Sequence, residues 1–311
     1  MLDDLVGTAT LVANRWYHTA FVYDYSTSIQ SMYLNGLLEG NRTSNHYQGQ
    51  GGSITIGNAR IPSDLVCDGY VDQVSLVTRA KSASEILFDA TVVCYYPFDF
   101  NSSDDSGSLG LNGSAVGVTF ASGMGRVNDA ILFTSMNSYF YAGGMTSLGT
   151  TNGSYSLAVW IKPTPVTNGI ITYVSTCNYN CTSNWCMPFI GFTSTGQIAI
   201  QSWSAAASNG TIVTLTGPNL MTNLWTHVAY TYSLANGIRL YLNGLLYSTS
   251  SAFTYLAGNS PAYIYLGGFP LATCGIGSSV IPTAQFYGYL DEFYLFSREL
   301  TAADVSSLAN P

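Results

Sequence analysis

The hexapeptide YLNGLL stands at residues 33–38 and again at residues 241–246. Its flanks match in the same order. NRWYHTAFVY (14–23) answers NLWTHVAYTY (223–232), and GYVDQVSLVTRAKSASEI (69–86) answers GYLDEFYLFSRELTAADV (288–305). The offsets are 209, 208 and 219 residues, so one insertion separates the last two blocks. Agreement of order and spacing over such a length marks an internal repeat the size of a domain, not of a solenoid unit. Residues 95–209 have no counterpart upstream. The chain therefore reads as the C-terminal half of one unit, 1–94, followed by one complete unit, 95–311. A chain that starts in mid-repeat with MLDDLVG, which is not a signal peptide, reads as a piece of something longer.

Within the repeat, LNGLL is a strand turning over Asn-Gly, a strong hairpin signal. YSLAVWIKP, GIITYVST, HVAYTYS, AYIYLGG and QFYGYLDEFYLFSR alternate or carry β-branched and aromatic residues between Gly, Asn-Gly and Pro breaks. Two segments look helical, ELTAADVSSL (299–308) and KSASEILFDA (81–90), each with Thr or Ser at the N-cap and an acid three residues on. The expected fold class is all-β, an antiparallel two-sheet β-sandwich, with one short helix after the last strand.

Composition narrows the partners. Charged residues are 8% of the chain, against about 25% in ordinary proteins, and the net charge is −8. Nine Lys and Arg are scattered without a basic patch, which argues against nucleic acid. No apolar run reaches the ~18 residues of a membrane span. Six cysteines in so neutral a chain favour an oxidising compartment. Six N-x-[S/T] sequons, at Asn41, Asn101, Asn112, Asn152, Asn180 and Asn209, point to the same secreted or cell-surface setting.

The ordered set YYPFD (95–99), DSGSLGLNG (105–113), GRVNDAILF (125–133), NSYFY (137–141), YSLAVWIKP (155–163), LWTHVAYTY, RLYLNGLL and GYLDEFYLFSRELTAAD resembles a laminin-G-like jelly roll of the concanavalin A-like lectin/glucanase superfamily. The resemblance covers nearly all of 95–311, and 1–94 carry the last third of the pattern. It implies a jelly-roll sandwich. Function it leaves open, because this fold carries lectins, adhesion modules, enzymes and spacers.

The resemblance implies a structural calcium at Asp99, Asp105 and Asp291, with Asp72 the equivalent acid of the partial copy, and hard oxygen ligands suit that ion. The alternative is that Asp105-Ser-Gly is a turn with its own Asx hydrogen bonds. It also implies that Trp16, Trp160 and Trp225 are core positions and that Trp160, Trp225 and Leu242 face inward. His18 and His227, equivalent in W-x-H-x-A, are read as structural, since no nucleophile motif accompanies them. A glycosidase needs paired carboxylates on one strand face. The chain has four Glu, none with an acid at i+2, and the adjacent Asp291 and Glu292 should point to opposite faces. No catalytic residue is assigned.

Trp185 and Trp203 fall outside the family positions. Trp185 and Tyr179 lie in CNYNCTSNWC (177–186), a cysteine-pinned loop that could present aromatics to sugar or protein, or could be a staple without a ligand. Cys67 and Cys94 are expected to pair, and Cys274 to join one of Cys177, Cys181 and Cys186, leaving the other two joined. The favoured function is an extracellular structural or adhesive glycoprotein of tandem laminin-G-like units, assembling with copies of itself or flanking repeats into an array or filament. The alternative is a lectin-type carbohydrate-binding module, with a hydrolase a distant third.

Overall fold

A computed structural model describes residues 5–45, 51–57, 67–165, 169–178, 185–205, 210–268 and 279–311. The chain divides into two compact units, Met1–Thr91 and Val92–Pro311.

In both occurrences of YLNGLL the Asn-Gly pair closes a two-residue hairpin. Asn35 and Gly36 have φ of 50° and 81°, and Asn243 and Gly244 have 48° and 82°. Two successive positive φ values are what a turn matched to the strand twist requires. Each asparagine also ties the turn to the start of its strand. The His18 amide donates to Asn35 Oδ1 at 3.0 Å, and the His227 amide to Asn243 Oδ1 at 3.0 Å.

In the first unit, β1 (Thr19–Asp24), β2 (Ile29–Leu34) and β3 (Leu37–Thr43) form a three-stranded antiparallel sheet, followed by α1 (Ala83–Thr91). Helix α1 starts on a reciprocal cap: the Ser82 amide donates to Glu85, and the Glu85 amide to Ser82 Oγ. A Cβ on Gly36 would lie 2.9 Å from Leu87, so the helix sits against the hairpin. Residues 67–82 form no strand.

The second unit contains β4 (Val92–Tyr96), β5 (Ser114–Val116), β6 (Thr119–Ala121), β7 (Ala130–Phe133), β8 (Tyr139–Met145), β9 (Tyr155–Pro163), β10 (Gly169–Ser175), β11 (Cys186–Phe192) and β12 (Gln197–Ser204). After them come β13 (Thr211–Asn219), β14 (Thr226–Ser233), β15 (Gly237–Leu242), β16 (Leu245–Thr249), β17 (Ala262–Leu266), β18 (Gly288–Phe296) and α2 (Ala302–Leu308). One antiparallel sheet runs β13-β12-β11-β10-β17-β8-β5. The other runs β16-β15-β14-β9-β18-β7-β6, with β4 also on β18. Residues 92–94, assigned from sequence to the first part, thus belong to a strand of the second unit, with Cys94 opposite Leu295.

Between the sheets lies the core. Leu157, Val159, Val228, Tyr230, Tyr232, Leu240, Phe293 and Leu295 of one sheet face Phe140, Val174, Phe189, Ile198, Ile200 and Leu266 of the other. Burying a side chain of this size contributes about 1.5–3 kcal/mol. The fold class is the antiparallel β-sandwich expected. Thr301 and Asp304 form a capping box that starts α2, as the sequence pattern indicated.

The first unit has the strands of one sheet and no second sheet among its described residues. Phe21 holds the place of Tyr230 in the repeated motif. Tyr230 is fully buried, whereas Phe21 is 63% exposed. Trp16, expected in a core, is 70% exposed.

Two core assignments in the second unit are corrected. Leu157, Val159 and Ile161 point into the sandwich, so strand alternation puts Trp160 on the outer face. There it is buried between His227, 5.3 Å away ring to ring, and the Arg126 guanidinium, 4.7 Å above it. Trp225 packs on the same side, near Tyr289 and Lys162. Leu242 does pack against the inter-sheet core.

Candidate functional site

The three acids expected to share a calcium do separate jobs. Asp105 Oδ1 accepts the amides of Tyr95 (2.8 Å) and Gly107 (2.7 Å), and its Oδ2 accepts that of Leu111 (2.8 Å). It therefore closes the turn and occupies the free edge of β4, a standard way to blunt an edge strand. Asp99 accepts from the Asp129 amide at 3.0 Å and Asn128 Nδ2 at 3.1 Å, holding the loop before β7.

Asp291 is fully buried. Its Oδ2 accepts from Arg126 N (2.7 Å) and Val127 N (3.0 Å), and its Oδ1 from Glu292 N (2.8 Å). Burial pushes its carboxyl up to about 7, against the pull of those amides. Among the described residues no three His, Cys, Asp or Glu side chains converge on a point that could hold a metal. These acids do not fit a shared ion: their oxygens are turned to backbone amides and, at Asp99, also to the side-chain amide of Asn128. In the first unit Asp72 Oδ1 accepts the Gln73 amide at 2.8 Å, as Asp291 does that of Glu292.

Glu292 corrects a second expectation. Its φ is 51°, and the register of β18 against β9 shifts between Asp291 and Tyr294. This bulge breaks the two-residue alternation. Asp291 lies opposite Trp160, and Glu292 accepts from the hydroxyls of Tyr95 (3.0 Å) and Tyr294 (2.9 Å), so both carboxyls lie on the outer side. The Tyr95 and Tyr294 rings stack at 4.1 Å between centroids. Burial outweighs the hydrogen bonds from Tyr294 and Tyr95 and, with a smaller push from the charge of Asp99, leaves Glu292 above its usual range.

His227 lies beside Trp160, buried, and its Nδ1 has no hydrogen-bond partner. Burial alone lowers it to about 4, so it is neutral at pH 7. His18 is also lowered, first by burial. Neither has a nucleophile or acid bonded to its ring among the described residues. They sit where the hairpin asparagine needs a strand amide.

The two tryptophans expected to present themselves to a ligand are used for packing. Trp185 donates its Nε1–H to the Leu256 carbonyl at 2.8 Å and meets Phe189 and Tyr255 edge-on. Trp203 donates to the Cys186 carbonyl at 3.1 Å and packs on the core. Both rings are half-buried, and their N–H groups are already bonded to backbone carbonyls.

Tyr179, Asn180, Cys181, Asn209 and Cys274 lie outside the described residues. Cys177 and Cys186 are each disulfide-bonded. Cys67 and Cys94, expected to pair, are free thiols. Cys94 is enclosed in the core and burial raises its thiol, while Cys67 is exposed. The sequon asparagines Asn41, Asn101, Asn112 and Asn152 are all exposed.

Sequence reading overlooked the outer face of the seven-stranded sheet. Tyr173, Tyr265 and Tyr141 stand directly opposite one another on β10, β17 and β8. Because Phe140, Ala142, Ile264 and Leu266 point into the core, these tyrosines and their strand neighbours Tyr139 and Tyr263 point out. Tyr141 and Tyr265 stack at 5.9 Å, and Tyr139 lies 6.0 Å from Tyr141. Tyr263 lies across Gly143, where a Cβ would come within 2.4 Å of its ring.

Tyr265 and Tyr173 are buried and anchor the face. The Tyr265 hydroxyl donates to the carbonyl of Cys177, at the disulfide-bonded loop, at 3.2 Å. Burial pushes Tyr173 up to about 12. Tyr139, Tyr141 and Tyr263 remain half-exposed, with Ser114 and Val116 of β5 beside them. The signal in the sequence was NSYFY followed by AYIYLGG, tyrosines two apart on strands whose alternate residues are apolar. That the two strands are neighbours was not legible.

A search of curated protein sequences returns no match. Among solved structures, the binding domain of Paraclostridial Mosquitocidal Protein 1 aligns at a TM-score of 0.52 and 18% identity, over 72% of this chain and 52% of that one. The botulinum neurotoxin serotype G binding domain aligns at 0.49 and 19% identity, over 70% and 50%. Domain 4 of AbnA, a GH43 extracellular arabinanase from Geobacillus stearothermophilus in complex with arabinotriose, aligns at 0.48 and 20% identity, over 70% and 98%. The chain spans about half the length of the two toxin binding-domain chains. These are likenesses of fold. The family model Laminin_G_3 matches residues 2–87 and 134–306, most of the chain. Sandwich, hairpin motif and family match agree, and the chain belongs to this laminin-G family of the concanavalin A-like lectin/glucanases superfamily.

Proposed function

We propose that the chain is an extracellular adhesive protein built of laminin-G-like units, and that its second unit recognises carbohydrate through the tyrosine-lined outer face of the seven-stranded sheet. The observation that carries this reading is the half-exposed trio Tyr139, Tyr141 and Tyr263 on adjacent strands of one sheet face. Tyrosine offers an apolar ring to the C–H face of a sugar and a hydroxyl to its oxygens, at little cost in side-chain entropy. The extracellular setting is supported by the disulfide-bonded Cys177 and Cys186 and by four exposed sequon asparagines.

Binding without hydrolysis is part of the same proposal. Asp291 and Glu292, the adjacent buried carboxyls, are engaged by backbone amides and tyrosine hydroxyls, which suits a structural task better than proton transfer. A glycan array read with the wild type and Tyr141→Ala tests this. Binding to one glycan class that falls about tenfold in the variant, in line with about 1.5 kcal/mol for a lost aromatic platform, is the expected result. An array without signal would sink the carbohydrate reading.

A second reading, a structural array, is favoured by a different observation. Among the described residues, more than half of the exposed large apolar side chains lie in Met1–Thr91, under a third of the chain. Under this reading Met1–Thr91 is the C-terminal part of a second laminin-G-like unit, and its apolar surface is covered by a neighbour.

A further inference from the structure

Between Asp129 and Asp291 the sequence contains no Asp or Glu, and its only Lys and Arg are Lys162 and Arg239. Those two stand on β9 and β15, in the sheet opposite the tyrosines. None of the seven strands of the tyrosine-bearing sheet contains Asp, Glu, Lys, Arg or His. Beside the half-exposed rings of Tyr139, Tyr141 and Tyr263, Ser114 stands opposite Tyr141 on the same face. The side-chain polar groups of these four residues are hydroxyls. Hydroxyls both donate to and accept from the hydroxyls of a sugar, but they bring no charge to a carboxylate or a sulfate. Stripping water from an ionised group without a counter-charge is costly.

Gly143 gives this face its shape. It stands directly opposite Tyr263, and a Cβ built on it would fall 2.4 Å from Tyr263 Cε1 and 2.7 Å from its Cδ1. The ring thus fills the space that any other residue would take, and it lies low across β8. Its half-exposed surface is the side turned away from the glycine. Covering a strand glycine with an aromatic ring from the neighbouring strand also fixes that ring in place.

We propose that this face takes a neutral glycan, one without carboxylate, sulfate or phosphate groups, and that Gly143 is the positioning residue that lays the Tyr263 ring down as its platform. The proposal rests on reading the tyrosine face as a carbohydrate site. A neutral sugar leaves no charge unpaired there, whereas an acidic one does. Contact without ion pairs is also indifferent to salt.

A glycan array of matched pairs, each neutral oligosaccharide beside its sialylated, sulfated or uronic-acid counterpart, tests the class with the whole chain at low and raised salt. Expected is signal on neutral members, about tenfold or more weaker on their charged counterparts and unchanged by salt. Equal or stronger signal on the charged members would overturn the neutral class and leave the carbohydrate reading standing. No signal on any member would overturn both. Gly143→Ala keeps every tyrosine and should lower binding about tenfold by lifting the Tyr263 ring. Tyr263→Ala, which adds no clash, should lose as much, and binding retained in it would refute the platform. Because the glycine acts through the ring, the double variant should bind no worse than Tyr263→Ala alone. Undiminished binding in a folded Gly143→Ala, or a further loss in the double variant, would refute the positioning role.

Discussion

Leu76 and Leu295 hold the same place in the same sequence motif, and Leu76 is 77% exposed whereas Leu295 is fully buried. The difference lies in what stands beside them. A strand needs ladder partners on its edges and a second sheet on its face, and among the described residues only those of the second unit supply both.

Substitution should expose this contrast. Tyr230→Ala removes a core ring that bonds to Tyr155 and to the Gln201 carbonyl, and should cost about 3–5 kcal/mol. Phe21→Ala, in the equivalent place, should change stability by under about 0.5 kcal/mol. Urea melts of the two variants decide it; equal losses would mean that Phe21 is covered in solution.

The hairpin glycine is a second point of leverage. Gly244 combines φ 82° with a close approach of Ala309, 3.1 Å from a Cβ built there. Gly244→Ala should therefore cost about 1–3 kcal/mol through backbone strain, with some loosening of α2. Thermal melting would show it, and a neutral result would contradict the tight hairpin.

Calcium enters the third prediction with the sign reversed from the family expectation. Since Asp105 and Asp291 spend their oxygens on amides, EDTA should leave the melting temperature unchanged. Asp105→Ala should lower stability by about 1–3 kcal/mol by stranding the amides of Tyr95, Gly107 and Leu111. A chelator-induced drop in the melting temperature would restore the ion.

Acidity supplies the fourth. The Asp291 carboxyl titrates near 7 in the folded chain and near 3.8 when unfolded. A raised folded value means that the folded state holds the proton more tightly. Its contribution is complete below about pH 4 and is lost as pH rises towards 7. His227, lowered to about 4 from 6.5, works oppositely, with stability lost as pH falls from about 6.5 to 4. Asp291→Asn removes the charge but sets an NH2 against an amide that a carboxylate oxygen had accepted, so its stability relative to wild type should be higher at pH 8 than at pH 4. Differential scanning calorimetry at the two values checks it.

Much of the fold could be read in the chain because it is locally encoded. The Asn-Gly turns, the Ser82–Glu85 and Thr301–Asp304 caps and the Asp72–Gln73 kink depend on residues within a few positions of one another, and they form whether or not the rest of a sandwich is present. Strand alternation likewise located the core of β9, although a family expectation placed Trp160 on the wrong side of it. What the sequence by itself determined was the class of fold, the family and these local turns. Tertiary structure alone decided three things. Glu292 joined Asp291 on the outer side, because a bulge shifts the period. Trp185 and Trp203 were drawn into packing, because carbonyls of Leu256 and Cys186 lay within reach of their ring N–H groups. And Tyr141, Tyr263 and Tyr265 met on one face, because β8 and β17, over a hundred residues apart in the chain, are neighbours in the sheet. Which strands lie side by side depends on long-range pairing, and no short stretch of residues carries that information.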